Sequence, residues 1–130
     1  MCHVKRIIFV IVSILYVACG IEDSKFIRKR LNNSEVEVTW YYYSYITNVS
    51  PDFVEIRRGD SIKVICEAGY EIVDVKLGSD QVEVRFSLPA DRQLSSAQIF
   101  GSDFFGYPAV FDSSGTTSEL RLIPDGVKEP

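Results

Sequence analysis

An all-β domain is predicted: a single small antiparallel sandwich of immunoglobulin-like size, or a small barrel, with about seven strands over residues 34–124. Three observations predict it. From residue 35 onward apolar side chains recur at every second position, the period of a strand and not of a helix. Gly, Pro, Asn and Asp punctuate the chain at short spacing, as turns between strands require. And 130 residues with 46% apolar and 25% charged composition make one domain, with no room for a second core.

The elements follow in order. Val36, Val38, Trp40 and Tyr42 share one face of a long aromatic strand that continues to Ile46 and is broken by Asn48, Ser50 and Pro51. Residues 53–57 form a second strand, closed by a turn at Gly59-Asp60. The Arg58-Gly59-Asp60 tripeptide spells an integrin-recognition sequence but is read here as that turn. Ser61 to Glu67 is a third strand, with Ile62, Val64 and Cys66 facing one way. Hairpins around Gly69 and Gly78 lead into residues 71–77 and then 81–88. In that last run Gln81, Glu83, Arg85 and Ser87 alternate strictly with Val82, Val84, Phe86 and Leu88, until Pro89 removes a ladder donor. A meander with one wet and one dry face results.

The final third is less regular. A short helix is expected around 95–100, an aromatic strand over 104–111 with Pro108 at an edge or bulge, and a last strand over 118–123. Residues 125–130 read as a polar tail. A sandwich is preferred to a barrel because its inner faces can fill a two-layer core about 10 Å thick.

The N-terminus is of a different kind. Lys5 and Arg6 precede an apolar run of twelve residues, Ile7 to Ala18. A permanent helical span needs about 20 residues, so the run reads as the core of a cleaved signal peptide, residues 1–18. It stops at Tyr16-Val17-Ala18-Cys19. That tetrad resembles a lipobox, in which small residues admit the chain to the peptidase and the Cys19 thiolate takes a diacylglyceryl group carrying palmitate-type chains. Tyr16 stands where an aliphatic residue is usual. Ordinary cleavage after Gly20, giving a secreted chain, is the alternative. Two or more acyl chains at Cys19 would anchor the domain stably to a membrane.

Residues 19–33 read as a lipid-anchored tether, with Lys25, Arg28, Lys29 and Arg30 placed to touch anionic lipid. As a flexible chain, residues 20–33 would span about 20 Å root-mean-square and hold the domain clear of the headgroups. Their net charge of +2 contrasts with -8 for residues 34–130, within a formal total of -4.

Composition excludes much chemistry. The one histidine, His3, lies in the segment to be removed. The processed chain therefore lacks Ser-His-Asp and Cys-His nucleophilic sites and imidazole zinc sites. No glycine-rich phosphate loop occurs, no metal site or cofactor is expected, and the acidic balance argues against nucleic acid. Cys66, with Cys2 removed and Cys19 acylated, is left without a disulfide partner and reads as a small buried hydrophobe. The chain is expected not to be an enzyme. A small hydrolase with two carboxylates is the least favoured alternative, since no acidic pair stands out by spacing.

One aromatic feature suggests binding. Tyr41, Tyr43 and Tyr45 lie opposite the Trp40 face, and if that face is wet they form a ridge able to stack on sugar rings or grip a peptide. If it is covered, they are core.

The n-region, apolar run, Cys19 and compact β-domain together resemble the small lipoproteins of bacterial envelopes, those of Bacteroidota being closest in style; the likeness is carried mainly by residues 1–33. It implies export, acylation at Cys19, placement at the inner or outer membrane, and an envelope protein as partner. It implies no catalytic residues.

Overall fold

The computed structural model describes residues 24–45 and 48–130, and of Arg92 the backbone alone. The signal segment 1–18 and Cys19 lie outside the described residues. Ten strands are described: β1 (Ser24–Asn32), β2 (Glu37–Ser44), β3 (Asp52–Arg58), β4 (Ser61–Ala68), β5 (Ile72–Leu77), β6 (Val82–Phe86), β7 (Gln98–Ile99), β8 (Asp103–Phe104), β9 (Tyr107–Asp112) and β10 (Val127–Lys128). They form one sheet in the order β10-β1-β2-β3-β4-β7 and a second in the order β5-β6-β9-β8. Val38, Trp40, Val54, Ile56 and Ile65 of the first sheet join Val75, Val82, Val84 and Phe86 of the second in one buried cluster. The fold is a small all-β sandwich, and among the described residues no sheet closes into a barrel.

The period-two strands form where alternation is clean. β2 and β3 pair antiparallel with Val38 opposite Ile56 and Trp40 opposite Val54, all facing inward. Gly59, at φ +59°, turns β3 into β4, a backbone conformation glycine adopts without steric cost. Gly78 closes the β5–β6 hairpin, its N–H donating to the Gln81 carbonyl at 2.8 Å.

Bulges account for the places where alternation misleads. Between Val54 and Glu55 the ladder skips a residue of β4, so Ile65 and Cys66 are both buried while Ile62 is exposed. A second bulge at Val73 buries Ile72, Val73 and Val75 together. The third is at Arg28, between Ile27 and Lys29.

That third bulge lies in what the sequence presents as a tether, and here the reading is corrected. Ser24–Asn32 is a full strand, paired along β2 on one side and with β10 on the other. Its charges do not wait for lipid. Lys25 faces Glu55 and Glu129, Arg28 faces Asp52, Lys29 faces Asp74, and Arg30 faces Glu37 and Glu129. The +2 segment and the -8 domain are complementary parts of one fold. The polar tail is likewise corrected, since Val127 and Lys128 pair with Ile27 and Phe26. Gly126 lets this segment cross the Phe26–Tyr42 stack, where a Cβ would stand 2.5 Å from the Tyr42 ring.

Other differences have local causes. Gly69 does not close a hairpin, because residues 69–71 carry the chain from β4 in one sheet to β5 in the other. β6 and β9 pair in parallel, so the second sheet is not a pure meander. The helix expected over 95–100 is replaced by a single 3-10 turn at Arg92–Leu94 followed by β7. The strand expected over 118–123 is instead a short helix, α1 (Thr117–Leu120). The Thr116 hydroxyl accepts from the Glu119 N–H and the Glu119 carboxylate accepts from the Thr116 N–H, a capping box that overrides the alternation of Leu120 and Leu122.

Candidate functional site

The strands run between two ends. At the near end Ser24 of β1 pairs with Ser44, and the segments 48–51, 69–71, 87–97 and 113–126 gather there. The far end carries the turns at 33–36, 58–61, 78–81 and 105–106.

The near end is held from inside by polar groups. The bulge in β1 aims Arg28 inward, where its Nε donates to Asp52 Oδ2 at 2.8 Å and Nη2 to Oδ1 at 3.3 Å. The Trp40 indole N–H donates to the same Oδ2 at 2.9 Å, and the Pro124 carbonyl accepts from Arg28 Nη1 at 2.9 Å. The guanidinium lies 4.3 Å from the centre of the Tyr42 ring. Burial pushes the Asp52 carboxyl above its ordinary range, against the opposing pull of Arg28 and Trp40. One shared carboxylate thus ties β1, β2, β3 and the 124–126 crossing together. A second anchor is Glu71, buried, whose carboxylate accepts from the Ser95 hydroxyl and the Ser96 N–H, each at 2.8 Å. It pins the 87–97 loop to the crossing between sheets.

Outside these anchors the near end exposes apolar side chains. Tyr70 is 73% exposed, Leu94 75% and Leu122 81%, with Tyr45 and Val49 less so. Tyr70 sits at φ +53°, a conformation non-glycine residues adopt at a cost. Tyr70 and Leu120 line two adjoining hollows of about 300 Å³ each, one shared with Leu94 and Glu71, the other with Val49, Arg28 and Arg121. Tyr70, Leu94 and Val49 are therefore neighbours around these hollows, and Tyr45 and Leu122 are exposed in the flanking segments of the same end. Leu88 connects it to a groove of about 350 Å³ on the flank, lined by Phe86, Ala97, Ile99 and Phe111.

Tyr41 and Tyr43 of β2 lie on the outer face of the larger sheet, with Tyr45 just beyond the strand, and the three differ from one another. Tyr41 is only 5% exposed, stacked on Phe53 at 5.5 Å and capped by Lys25, whose Nζ is 4.1 Å from the ring centre. Burial, with the nearby Glu55 charge, pushes its phenol well above the ordinary range. Tyr43 is half-buried, edge-on to Tyr41 and Phe53. Tyr45 alone of the three is exposed, at the near end. No three free faces stand in a row.

Cys66 is fully buried, and desolvation pushes its thiol up to about 12, as for an inert core residue. At the far end Glu35 and Glu37 line one hollow, but Glu35 accepts from the Tyr107 hydroxyl at 2.7 Å and Glu37 faces Arg30. Among the described residues no cluster of His, Cys, Asp and Glu is arranged to hold a metal ion, and no helix is long and apolar enough to cross a membrane. The sequence signals for the anchors were slight: Asp52 follows a turn-forming Pro51, and Arg28 reads as one of a basic run.

No family model, no curated protein and no solved structure matches this chain.

Proposed function

We propose that the protein is a membrane-anchored lipoprotein of a bacterial envelope, whose β-sandwich is a non-enzymatic module for protein interaction or envelope assembly. The observation that carries this reading is the tetrad Tyr16-Val17-Ala18-Cys19 at the end of a twelve-residue apolar run. Ser24, the first described residue of β1, follows Cys19 by five positions in the sequence, so an acyl group at Cys19 would be joined closely to the sheet. The polar groups of the domain are spent on holding its loops, as Asp52 and Glu71 are, which suits a scaffold more than a catalyst.

Mass spectrometry of the mature N-terminus tests the reading. Expected is a chain beginning at Cys19 with a diacylglyceryl mass added, and transfer of the Cys19→Ala variant from the membrane to the aqueous phase of a detergent extraction. An unmodified N-terminus at Ile21 overturns it.

A further inference from the structure

We infer that the near end of the sandwich rests against the bilayer surface, with Tyr45, Val49, Tyr70, Leu94 and Leu122 in the headgroup region. This rests on the lipoprotein reading and adds to it an orientation and a lipid-contacting face. The argument begins with reach. Only Gly20 to Asp23 separate Cys19 from β1. Five residue steps span at most about 18 Å even when fully extended. A nine-residue strand is itself about 26 Å long. With Cys19 held in the headgroups, Ser24 cannot stand far enough away for the far end to turn onto the membrane. The near end is the one that the leash brings down.

The chemistry of that end agrees. Tyr70 and Leu94, 73% and 75% exposed, line one hollow there and Tyr70 and Val49 the next, while Leu122 and Tyr45 are exposed in the segments that flank them. In water such a cluster is costly; at a headgroup boundary, tyrosine places its ring among acyl chains and its hydroxyl among polar groups. Tyr70 is 73% exposed at a left-handed backbone position, φ +53°. Arg121 and Asp125, of opposite sign, line the hollow beside Tyr70, so apolar contact rather than headgroup charge is taken to draw this end down. At the far end Asn33, Ser34, Gly59, Asp60, Ser79 and Asp80 are exposed and polar or small, and Ile62, beside the 58–61 turn, is exposed and apolar.

The test uses the full-length lipoprotein in vesicles of phosphatidylethanolamine and phosphatidylglycerol. A nitroxide is attached at Tyr70→Cys, at Leu94→Cys as a second near-end site, and separately at Ser79→Cys. Cys66 is buried and Cys19 acylated, so each variant carries a single reactive thiol. Expected is preferential collision with lipid-soluble oxygen at positions 70 and 94, and with a water-soluble nickel chelate at position 79. An acylated protein whose near-end labels are as accessible to nickel as position 79 overturns the orientation while leaving the anchor standing. Lipid contact at position 79 overturns it too. A mature chain without acyl mass overturns both readings, and is seen in the mass spectrum before any label is read.

Discussion

The two ends of the sandwich are built by opposite means. The far end is made of short turns whose backbone N–H groups are satisfied locally, with Tyr107 as a side-chain link between them: Asn33 Oδ1 accepts from the Glu35 and Val36 N–H groups at 2.8 Å, and Gly59 closes β3 onto β4. The near end is made of long loops and chain crossings, fastened by carboxylates that reach across tens of residues, Asp52 to Arg28 and Glu71 to Ser95. Short turns carry their own specification and leave nothing over. Loops cannot satisfy their own polar groups, and must be tied by buried side chains that give their outer surface freedom to be apolar.

That contrast ranks the consequences of substitution. The largest effect is expected at Asp52→Ala, which strands a guanidinium and an indole N–H in the interior. Breaking a buried pair on one side costs about 3–5 kcal/mol, and urea denaturation should show the midpoint falling accordingly. A loss no greater than that of an exposed pair would mean that the near end is not held from within. Glu71→Ala comes next. Removing a charged acceptor from partly buried donors costs about 1.5–3 kcal/mol, and hydrogen exchange should quicken in residues 95–97 before it does in β2 or β3.

The smallest effect is expected at the far end, with Tyr107→Phe. Its hydroxyl donates to Glu35 and accepts from Asn33 Nδ2 at 3.2 Å, and the Glu35 bond raises the phenol above its ordinary value. A phenol whose folded value is raised contributes stability that is whole below the unfolded value, near pH 10, and is lost as pH rises through the folded one. Tyr107→Phe should therefore lower the denaturation midpoint at pH 7, by less than Glu71→Ala does, and soften the loss of stability above about pH 10. A fall at pH 7 as large as that of Glu71→Ala would erase the distinction between the ends.

Much of the fold was legible in the residues. Strict alternation over 81–88 and 36–42 placed β6 and β2 with the correct faces inward, and Gly59 and Gly78 marked true hairpins. What escaped has a common cause. A bulge inserts one residue and reverses the phase of everything beyond it, so Phe26, Ile27 and Leu31 in β1 do not alternate and the strand looks like a linker. The charges of β1 look like a lipid-seeking cluster because, Glu37 for Arg30 apart, their partners lie 24 to 104 residues away, from Asp52 for Arg28 to Glu129 for Lys25. The tyrosine ridge split for the same reason, because Lys25 and Phe53 cover Tyr41 and only the register of β1, β2 and β3 brings them there. The candidate surface was not legible at all, since Tyr70, Leu94 and Val49 share no motif and are brought together only by chain crossings.

By itself the sequence determined the class, the alternating strands, the inner faces where no bulge intervenes, and the absence of histidine from the domain, because periodicity and composition are properties of neighbouring residues and of counts. Only the tertiary structure decided which strand borders which, that the basic segment is a strand of the sheet, which carboxylate holds which loop, and which end is apolar. Those depend on pairs distant along the chain, and a pair far apart in sequence leaves no local trace until the backbone brings it together.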